Sequence, residues 1–122
     1  LLYLRDNKSS IAFPNMWALI GGLLEEDEDP LDGVRREVSE ELHDLDGIPI
    51  ELPKYNFLFS YNRTDLARTE FVFQVEVHSS PETIVLVEGR ELKAFSKSQI
   101  QDMPDIVPHH RSILETYFDQ QA

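Results

Sequence analysis

Three glutamates about a third of the way along the chain have the spacing of a metal-binding site. Glu37, Glu40 and Glu41 stand at positions i, i+3 and i+4, which lie on one face of an α-helix with Cβ atoms about 5–6 Å apart. Like charges this close destabilise a helix unless a cation joins them. Carboxylate oxygens are hard ligands of the kind that Mg²⁺ prefers. The spacing therefore indicates a helix that binds a divalent metal ion.

The sequence around these glutamates predicts the helix that they need. Asp29 can cap its free N–H groups, and Pro30 is tolerated at the first helical position. Apolar residues then recur at three- and four-residue steps, as on the buried face of an amphipathic helix: Leu31, Val34, Val38, Leu42 and Leu45. At about 100° per residue, the glutamates fall on the flank of this stripe. We therefore expect them at the edge of the core, facing a cleft.

Further strands and helices are predicted on both sides of this segment. Apolar, aromatic and β-branched runs predict strands at Leu1–Asp6, Trp17–Ile20, Tyr55–Asn62, Thr69–His78, Thr83–Val87 and Leu92–Phe95. Helical patterns predict a short turn at Ser96–Met103 and a last helix at Pro108–Asp119. This order indicates a mixed α/β fold, and the length suits a single domain over residues 1–122.

Composition and charge exclude several classes of function. Lys plus Arg is 11 and Asp plus Glu is 23, and the net charge of −12 argues against tight binding to duplex nucleic acid. The chain has no cysteine, which excludes a disulfide framework, a thiolate metal site and a Cys nucleophile. It also has no apolar run of the roughly 18–20 residues that span a membrane, and no secretory signal. These observations predict a cytoplasmic protein that does not bind membranes.

The segment from Gly22 to Asp44 resembles the Nudix box, whose pattern is Gly-x5-Glu-x7-Arg-Glu-U-x-Glu-Glu-x-Gly-U with U an aliphatic residue. The residues that match the pattern are Gly22, Glu28, Arg36, Glu37, Val38, Glu40 and Glu41. With each residue type at about 5% in average composition, the six polar and glycine matches have a chance probability of about 10⁻⁸ per start position. The preceding segment, Trp17–Gly22, is similar to the family's Trp-x-x-Pro-Gly-Gly entry. The sequence thus resembles the Nudix hydrolases, and among them the MutT-like members.

The resemblance implies a fold with one expected gap. Nudix domains are α/β/α sandwiches around a mixed sheet, and they usually have a strand before the one that corresponds to Leu1–Asp6. The sequence starts at Leu1. We therefore expect it to lack this first strand, through truncation or processing, or because another chain supplies the strand. Many relatives pair, so the resemblance also favours a homodimer.

Two positions depart from the family pattern. Ile20 stands where the family has Pro before the two glycines, and His43 stands in place of the final Gly, followed by Asp44 instead of an aliphatic residue. That Gly usually ends the helix in a left-handed conformation, which costs other residues roughly 1 kcal/mol. A charged His43 near the helix C-terminus would offset part of this cost, and Gly47 can supply the turn instead. Neither departure removes a metal ligand, so we interpret both as changes of loop shape.

The resemblance also implies a chemistry and its metal ligands. Family members hydrolyse a nucleoside diphosphate linked to a further group, with Mg²⁺ as the cofactor and Mn²⁺ as a substitute. Carried over by position, Glu40 and Glu41 are the main metal ligands. Glu37 is a ligand or the catalytic base, and the carbonyl of Gly21 is a further ligand.

Three more residues complete the implied site. Arg36 and Glu28 would orient the glutamates through an ion pair. The segment Glu88–Ser96 is similar to the one that supplies an additional carboxylate from across the cleft in MutT-type members. Glu88 is the matching position, and it is therefore a candidate catalytic residue and metal ligand.

The substrate is less constrained than the reaction. The short chain favours a MutT-like nucleoside triphosphate pyrophosphohydrolase. An ADP-ribose or nucleotide-sugar pyrophosphatase is the first alternative. The second alternative is a non-catalytic module of the same fold that binds a nucleotide or a protein.

Charged residues outside the box receive only weak predictions. Isolated arginines are usually solvated, but three of them are candidates for phosphate contacts: Arg63, Arg68 and Arg90. Three histidines show no ligand spacing with the box, and we interpret them as surface or capping residues: His78, His109 and His110.

Overall fold

The structure is a computed structural model that describes residues 1–121. Its strands are β1 (Leu2–Leu4), β2 (Trp17–Ala18), β3 (Leu42–His43), β4 (Tyr55–Arg63), β5 (Arg68–Val75), β6 (Val85–Leu86) and β7 (Glu91–Lys93). Its helices are α1 (Pro30–Glu41), α2 (Lys97–Asp102) and α3 (Pro108–Gln121), and single 3₁₀ turns occur at Thr64–Leu66 and Pro81–Thr83. Every strand and helix that the sequence predicts is present, most strands are shorter than predicted, and β3 is an additional one.

The strands pair in four antiparallel ladders, which form three separate sheets. These are the three-stranded sheet β2–β1–β7 and the two pairs β3–β6 and β4–β5. A parallel bridge joins Trp17 of β2 to Ile106, just before α3. The α/β class predicted from the sequence is confirmed. Within residues 1–121 the parallel pairing consists of this one bridge.

Helix α1 begins at its predicted cap and ends earlier than its apolar stripe. The Asp29 carboxylate accepts a hydrogen bond from the N–H of Leu31 at 3.0 Å, and Pro30 occupies the first helical position. The helix ends at Glu41 because Leu42 is extended, with φ −120° and ψ 119°, and leads directly into β3. The predicted buried stripe is therefore wrong at Leu45, which lies beyond the helix and is 70% exposed.

His43 does not have the strained, left-handed backbone conformation that the family pattern suggested for this position. A left-handed conformation does not form there because the chain continues as a strand. Nε2 of the imidazole lies 3.1 Å from the carbonyl oxygen of Ser39, to which it can donate from beyond the end of the helix. The turn comes at Gly47, which has φ +81° and donates its N–H to the carbonyl of Asp44 at 3.0 Å. The interpretation that Gly47 supplies this turn is confirmed.

Two clusters of buried side chains hold these elements together. The first cluster consists of Leu2, Trp17, Ile100 and Ile106, and the second of Val38, Leu42 and Ile84. Leu19 packs against the first cluster and Ile20 against the second. The segment after β2 therefore lies between the two. No helix among residues 1–121 is long and apolar enough to cross a lipid bilayer.

Replacing Ile106 by Ala tests the first cluster. Ile106 is 2% exposed, so truncation leaves a cavity and should lower the free energy of unfolding by about 2–5 kcal/mol. Urea denaturation followed by circular dichroism measures this change. The matched control is Ile48→Ala, at a side chain that is 59% exposed, where we expect a loss below about 0.5 kcal/mol. Equal losses in the two variants would contradict the assignment of Ile106 to the core.

Candidate active site

Arg36 is the centre of a hydrogen-bond network that joins α1 to the loop before it. Its Nε and Nη2 donate to the two carboxylate oxygens of Glu28 at 2.8 and 3.0 Å, and Nη2 also donates to the carbonyl of Leu23 at 3.0 Å. Its Nη1 donates to Glu37 at 3.0 Å and lies 3.3 Å from both carboxylate oxygens of Glu40. One guanidinium group thus holds the loop and two of the predicted metal ligands.

The pair between Arg36 and Glu28 is ionised over a wide pH range. The hydrogen bonds from Arg36, followed by one from the backbone N–H of Glu25, lower the pKa of Glu28 from 4.5 to about 2. Reciprocally, the carboxylates around Arg36, Glu28 first, raise the pKa of the guanidinium above its already high value. A bidentate, charge-assisted pair of this kind is strongly directional. It can therefore fix the orientation of Arg36 on α1.

Gly22 allows the Glu37 carboxylate to lie directly against the backbone. A Cβ atom at position 22 would lie 2.6 Å from Cδ and 2.7 Å from Oε2 of Glu37, far inside van der Waals contact. Only glycine therefore leaves the Glu37 carboxylate where it is. The contact therefore gives a steric reason for glycine at position 22, the first residue of the box pattern.

A cavity of about 240 Å³ opens beside the C-terminal end of α1. Residues from four parts of the chain line it: Tyr3, Arg5, Asp6, Ile11, Ile20, Gly21, Glu41, Glu88 and Gly89. Glu41 comes from the last turn of α1 and Glu88 from the turn between β6 and β7. The fold thus places these two glutamates, the carboxylate of Asp6 and the backbone of Gly21 on the wall of one cavity.

The carboxylates of this region repel one another. Burial, followed by the charges of Glu88, Glu37 and Glu40, raises the pKa of Glu41. Four carboxylates are therefore close enough to interact, and a bound cation would relieve the repulsion.

The donor set fits a hard divalent cation. The ligands predicted from the sequence are carboxylate oxygens and a backbone carbonyl, which Mg²⁺ prefers, without the nitrogen or sulfur donors that favour zinc. Among residues 1–121, no three His, Cys, Asp or Glu side chains already stand in the geometry of a metal cluster. Glu37 and Glu40 are instead hydrogen-bonded to Arg36. The carboxylates are gathered without forming a complete ligand shell.

The residues predicted for the site lie in two adjoining groups. Gly21, Glu41 and Glu88 line the cavity, whereas Glu28, Glu37 and Glu40 surround Arg36. Ile20, which departs from the family pattern, also lines the cavity. It contributes an apolar side chain to the wall.

The sequence prediction missed Arg5, which is the cation of the cavity wall. Its Nε donates to the carbonyl of Ala12 at 2.8 Å and its Nη1 to the hydroxyl of Tyr3 at 3.2 Å. Arg5 comes directly after β1, and β1 pairs with the strand that leads into Gly21. The sequence shows that Arg5 follows a predicted strand, but no local pattern shows with which strand β1 pairs.

The arginines singled out from the sequence do not line this cavity. Arg63 donates to both carboxylate oxygens of Asp65 at 2.9 and 2.7 Å, and Arg68 donates to Glu70 at 3.2 Å. Arg90 donates to the side-chain oxygen of Asn15. All three are engaged by side chains outside the cavity.

Comparison with known proteins gives the family. A model of the NUDIX domain matches residues 1–117, nearly the whole chain, and the protein therefore belongs to the NUDIX family. Members of this family hydrolyse nucleoside diphosphate derivatives and generally use divalent metal ions such as Mg²⁺. Neither the curated proteins nor the solved structures that were compared include a significant match.

Replacing Glu28 by Gln tests the Arg36 network through its pH dependence. The pKa of Glu28 is lowered from 4.5 to about 2. The pair therefore stabilises the folded state fully above about pH 4.5, and this contribution is lost as the pH falls towards 2. Urea titrations from pH 6 to pH 2 should show Glu28→Gln less stable than the original protein above pH 4.5, with the difference shrinking towards pH 2.

Glu25→Gln is the control, because the Glu25 side chain is 68% exposed and lies 3.7 Å from Arg36. A constant difference for Glu28→Gln at every pH would contradict the ion-pair explanation.

Replacing Gly22 by Ala tests the approach of Glu37 to the backbone. The added methyl group displaces the Glu37 carboxylate, and we expect Mn²⁺ affinity, measured by electron paramagnetic resonance, to fall about 10–100-fold. Gly47→Ala is the control: it meets no atom within 4 Å but has φ +81°, so it should cost about 1 kcal/mol of stability. Its Mn²⁺ affinity should stay unchanged. Unchanged affinity in Gly22→Ala would rule out a metal-binding role for this contact.

Proposed function

We propose that the protein is a Mg²⁺-dependent hydrolase of nucleoside diphosphates linked to a further group, and specifically a MutT-like nucleoside triphosphate pyrophosphohydrolase. The observation that carries the proposal is the placement of Glu41, Glu88 and Gly21 on one cavity wall, next to the Arg36 network. Water attacks phosphorus and the diphosphate bond breaks, so a nucleoside triphosphate yields a nucleoside monophosphate and pyrophosphate.

Each predicted site residue has a role in this proposal. Glu40 and Glu41 are the main ligands of Mg²⁺, for which Mn²⁺ can substitute, and the carbonyl of Gly21 and the Glu88 carboxylate are further ligands. When bound, the ion supplies charge neutralisation for the diphosphate and activation of the attacking water. Glu37 is a ligand or the base that accepts the proton of that water.

Arg36 and Glu28 act by orientation in this proposal. The bidentate contact with Glu28 occupies Nε and Nη2 of Arg36, so that Nη1 faces Glu37 and Glu40. The two glutamates are thereby restrained before any ion binds, which reduces the entropy lost when they become ligands.

The cavity supports a phosphate-containing substrate. Arg5 is the positively charged residue of its wall, and Ala12 and Tyr3 hold its guanidinium group. An arginine suits phosphate oxygens because its donors are charged and arranged in a plane. Ile11 and Ile20 contribute apolar side chains to the same wall. We therefore assign Arg5 to the phosphate chain and the apolar wall to the adjoining part of the nucleotide.

A substrate panel tests the proposal. Purified protein should be assayed with Mg²⁺ and with Mn²⁺ against nucleoside triphosphates, ADP-ribose, nucleotide sugars and dinucleoside polyphosphates. We expect turnover of a nucleoside triphosphate with release of pyrophosphate. In Glu41→Gln, kcat should fall about 10²–10³-fold, because loss of a metal ligand removes several kcal/mol of transition-state stabilisation. Glu26→Gln, at an exposed loop position, should keep its activity.

The panel also separates the alternatives. Preferred turnover of ADP-ribose or a nucleotide sugar would replace the triphosphate assignment. Binding of nucleotide without turnover of any compound would indicate a non-catalytic member of the family. Full activity in Glu41→Gln would show that the metal-ligand assignment is wrong.

A further inference from the structure

The segment from Leu19 to Gly21, which leads into the candidate site, is hydrogen-bonded to the side chain of His110. The backbone N–H of Leu19 donates to Nδ1 of His110 at 3.0 Å, across 91 residues of sequence. Leu19 directly precedes Ile20 and Gly21, which both line the cavity. A contact made by the first turn of α3 therefore acts on the backbone that supplies a predicted metal ligand.

The reason for a side-chain acceptor here lies in the interrupted parallel pairing beside β2. The N–H of Trp17 donates to the carbonyl of Asp105 at 2.8 Å, and the N–H of Val107 donates to the carbonyl of Trp17 at 2.9 Å. In a continued parallel ladder, the N–H of Leu19 would next donate to the carbonyl of Val107. That carbonyl instead accepts the N–H of Arg111 at 3.0 Å, because α3 begins at Pro108.

His110 thus replaces the acceptor that the start of α3 removes from the ladder. A backbone N–H left without an acceptor in a partly buried position would destabilise this arrangement. Nδ1 of a neutral imidazole can accept the hydrogen bond only if the ring proton is on Nε2. The surroundings favour the neutral ring. Burial, followed by the charges of His109, Arg5 and Arg63, lowers the pKa of His110 to about 3.

We propose that His110 is a positioning residue of the active site, whose neutral imidazole holds the segment from Leu19 to Gly21 against the cavity. The interpretation of His110 as a surface residue is therefore wrong: the ring is partly buried, and its Nδ1 accepts a hydrogen bond from the backbone that continues β2. The positioning role of His110 rests on the proposed function in one respect, namely that Gly21 is a metal ligand. The hydrogen bond itself is independent of any activity.

Two variants separate the acceptor from the bulk of the ring. His110→Asn keeps an acceptor oxygen close to the position of Nδ1, whereas His110→Leu fills similar space without an acceptor. We expect hydrogen exchange at the Leu19 amide to be slow in the original protein and in His110→Asn, and fast in His110→Leu. Mn²⁺ affinity should fall about fivefold in His110→Leu, the effect of losing one hydrogen bond, and recover in His110→Asn. Glu115→Gln, at an exposed position of the same helix, is the control and should leave both measurements unchanged.

The outcomes distinguish this proposal from the proposed function. Fast exchange at Leu19 in His110→Leu with unchanged Mn²⁺ affinity would show that His110 supports only the fold, and the positioning role would be rejected. A protein that hydrolyses no member of the panel, while its Mn²⁺ affinity still follows the acceptor at position 110, would refute the activity and leave the positioning role intact. The unmodified protein provides a test that does not depend on variant folding: in ¹⁵N NMR at neutral pH, a proton on Nδ1 of His110 would overturn the proposal.

Discussion

The bidentate ion pair between Arg36 and Glu28 is the interaction on which the arrangement of the site depends. Glu28 lies in the loop before α1 and Arg36 lies in the helix, so the pair joins two segments that have no backbone ladder between them. It also determines which face of the guanidinium remains for Glu37 and Glu40. Without a cation among the glutamates, this arginine compensates part of their mutual repulsion. The same group therefore stabilises the loop and organises the predicted ligands.

The second constraint on the site is that two carboxylates lie very close to the backbone. At both places the backbone residue is a glycine. Gly22 leaves room for the Glu37 carboxylate, and Gly33 within α1 leaves room for a Leu24 methyl group and for Oε1 of Glu28, which would lie 3.2 Å from an added Cβ. Glycine inside a helix costs about 1 kcal/mol relative to alanine. This cost is offset by the packing of the loop onto the helix, which brings Glu28 within reach of Arg36.

The cavity is built from segments that are far apart in the sequence. The turn after β6 carries Glu88, and the segment after β2 carries Gly21, while β1 ends at Arg5. Leu19 and Ile20 anchor the β2 side in separate clusters of the core. Positions on this wall are thus set by packing at Leu19 and Ile20 and by the hydrogen bond of Leu19 to His110.

The sequence by itself determined α1, its cap at Asp29 and the carboxylate face of Glu37, Glu40 and Glu41, because these depend on residues a few positions apart. The same local logic failed at Leu45, since the pairing of β3 with β6 ends the helix and involves a distant strand. Only the tertiary structure decided that Arg5 lines the cavity while Arg63 and Arg68 do not. It alone brought Nδ1 of His110 to the backbone N–H of Leu19, because an acceptor 91 residues from its donor leaves no periodic trace in the chain. Periodicity reports which face of an element is buried, and the contacts between elements depend on pairing and packing that periodicity does not encode.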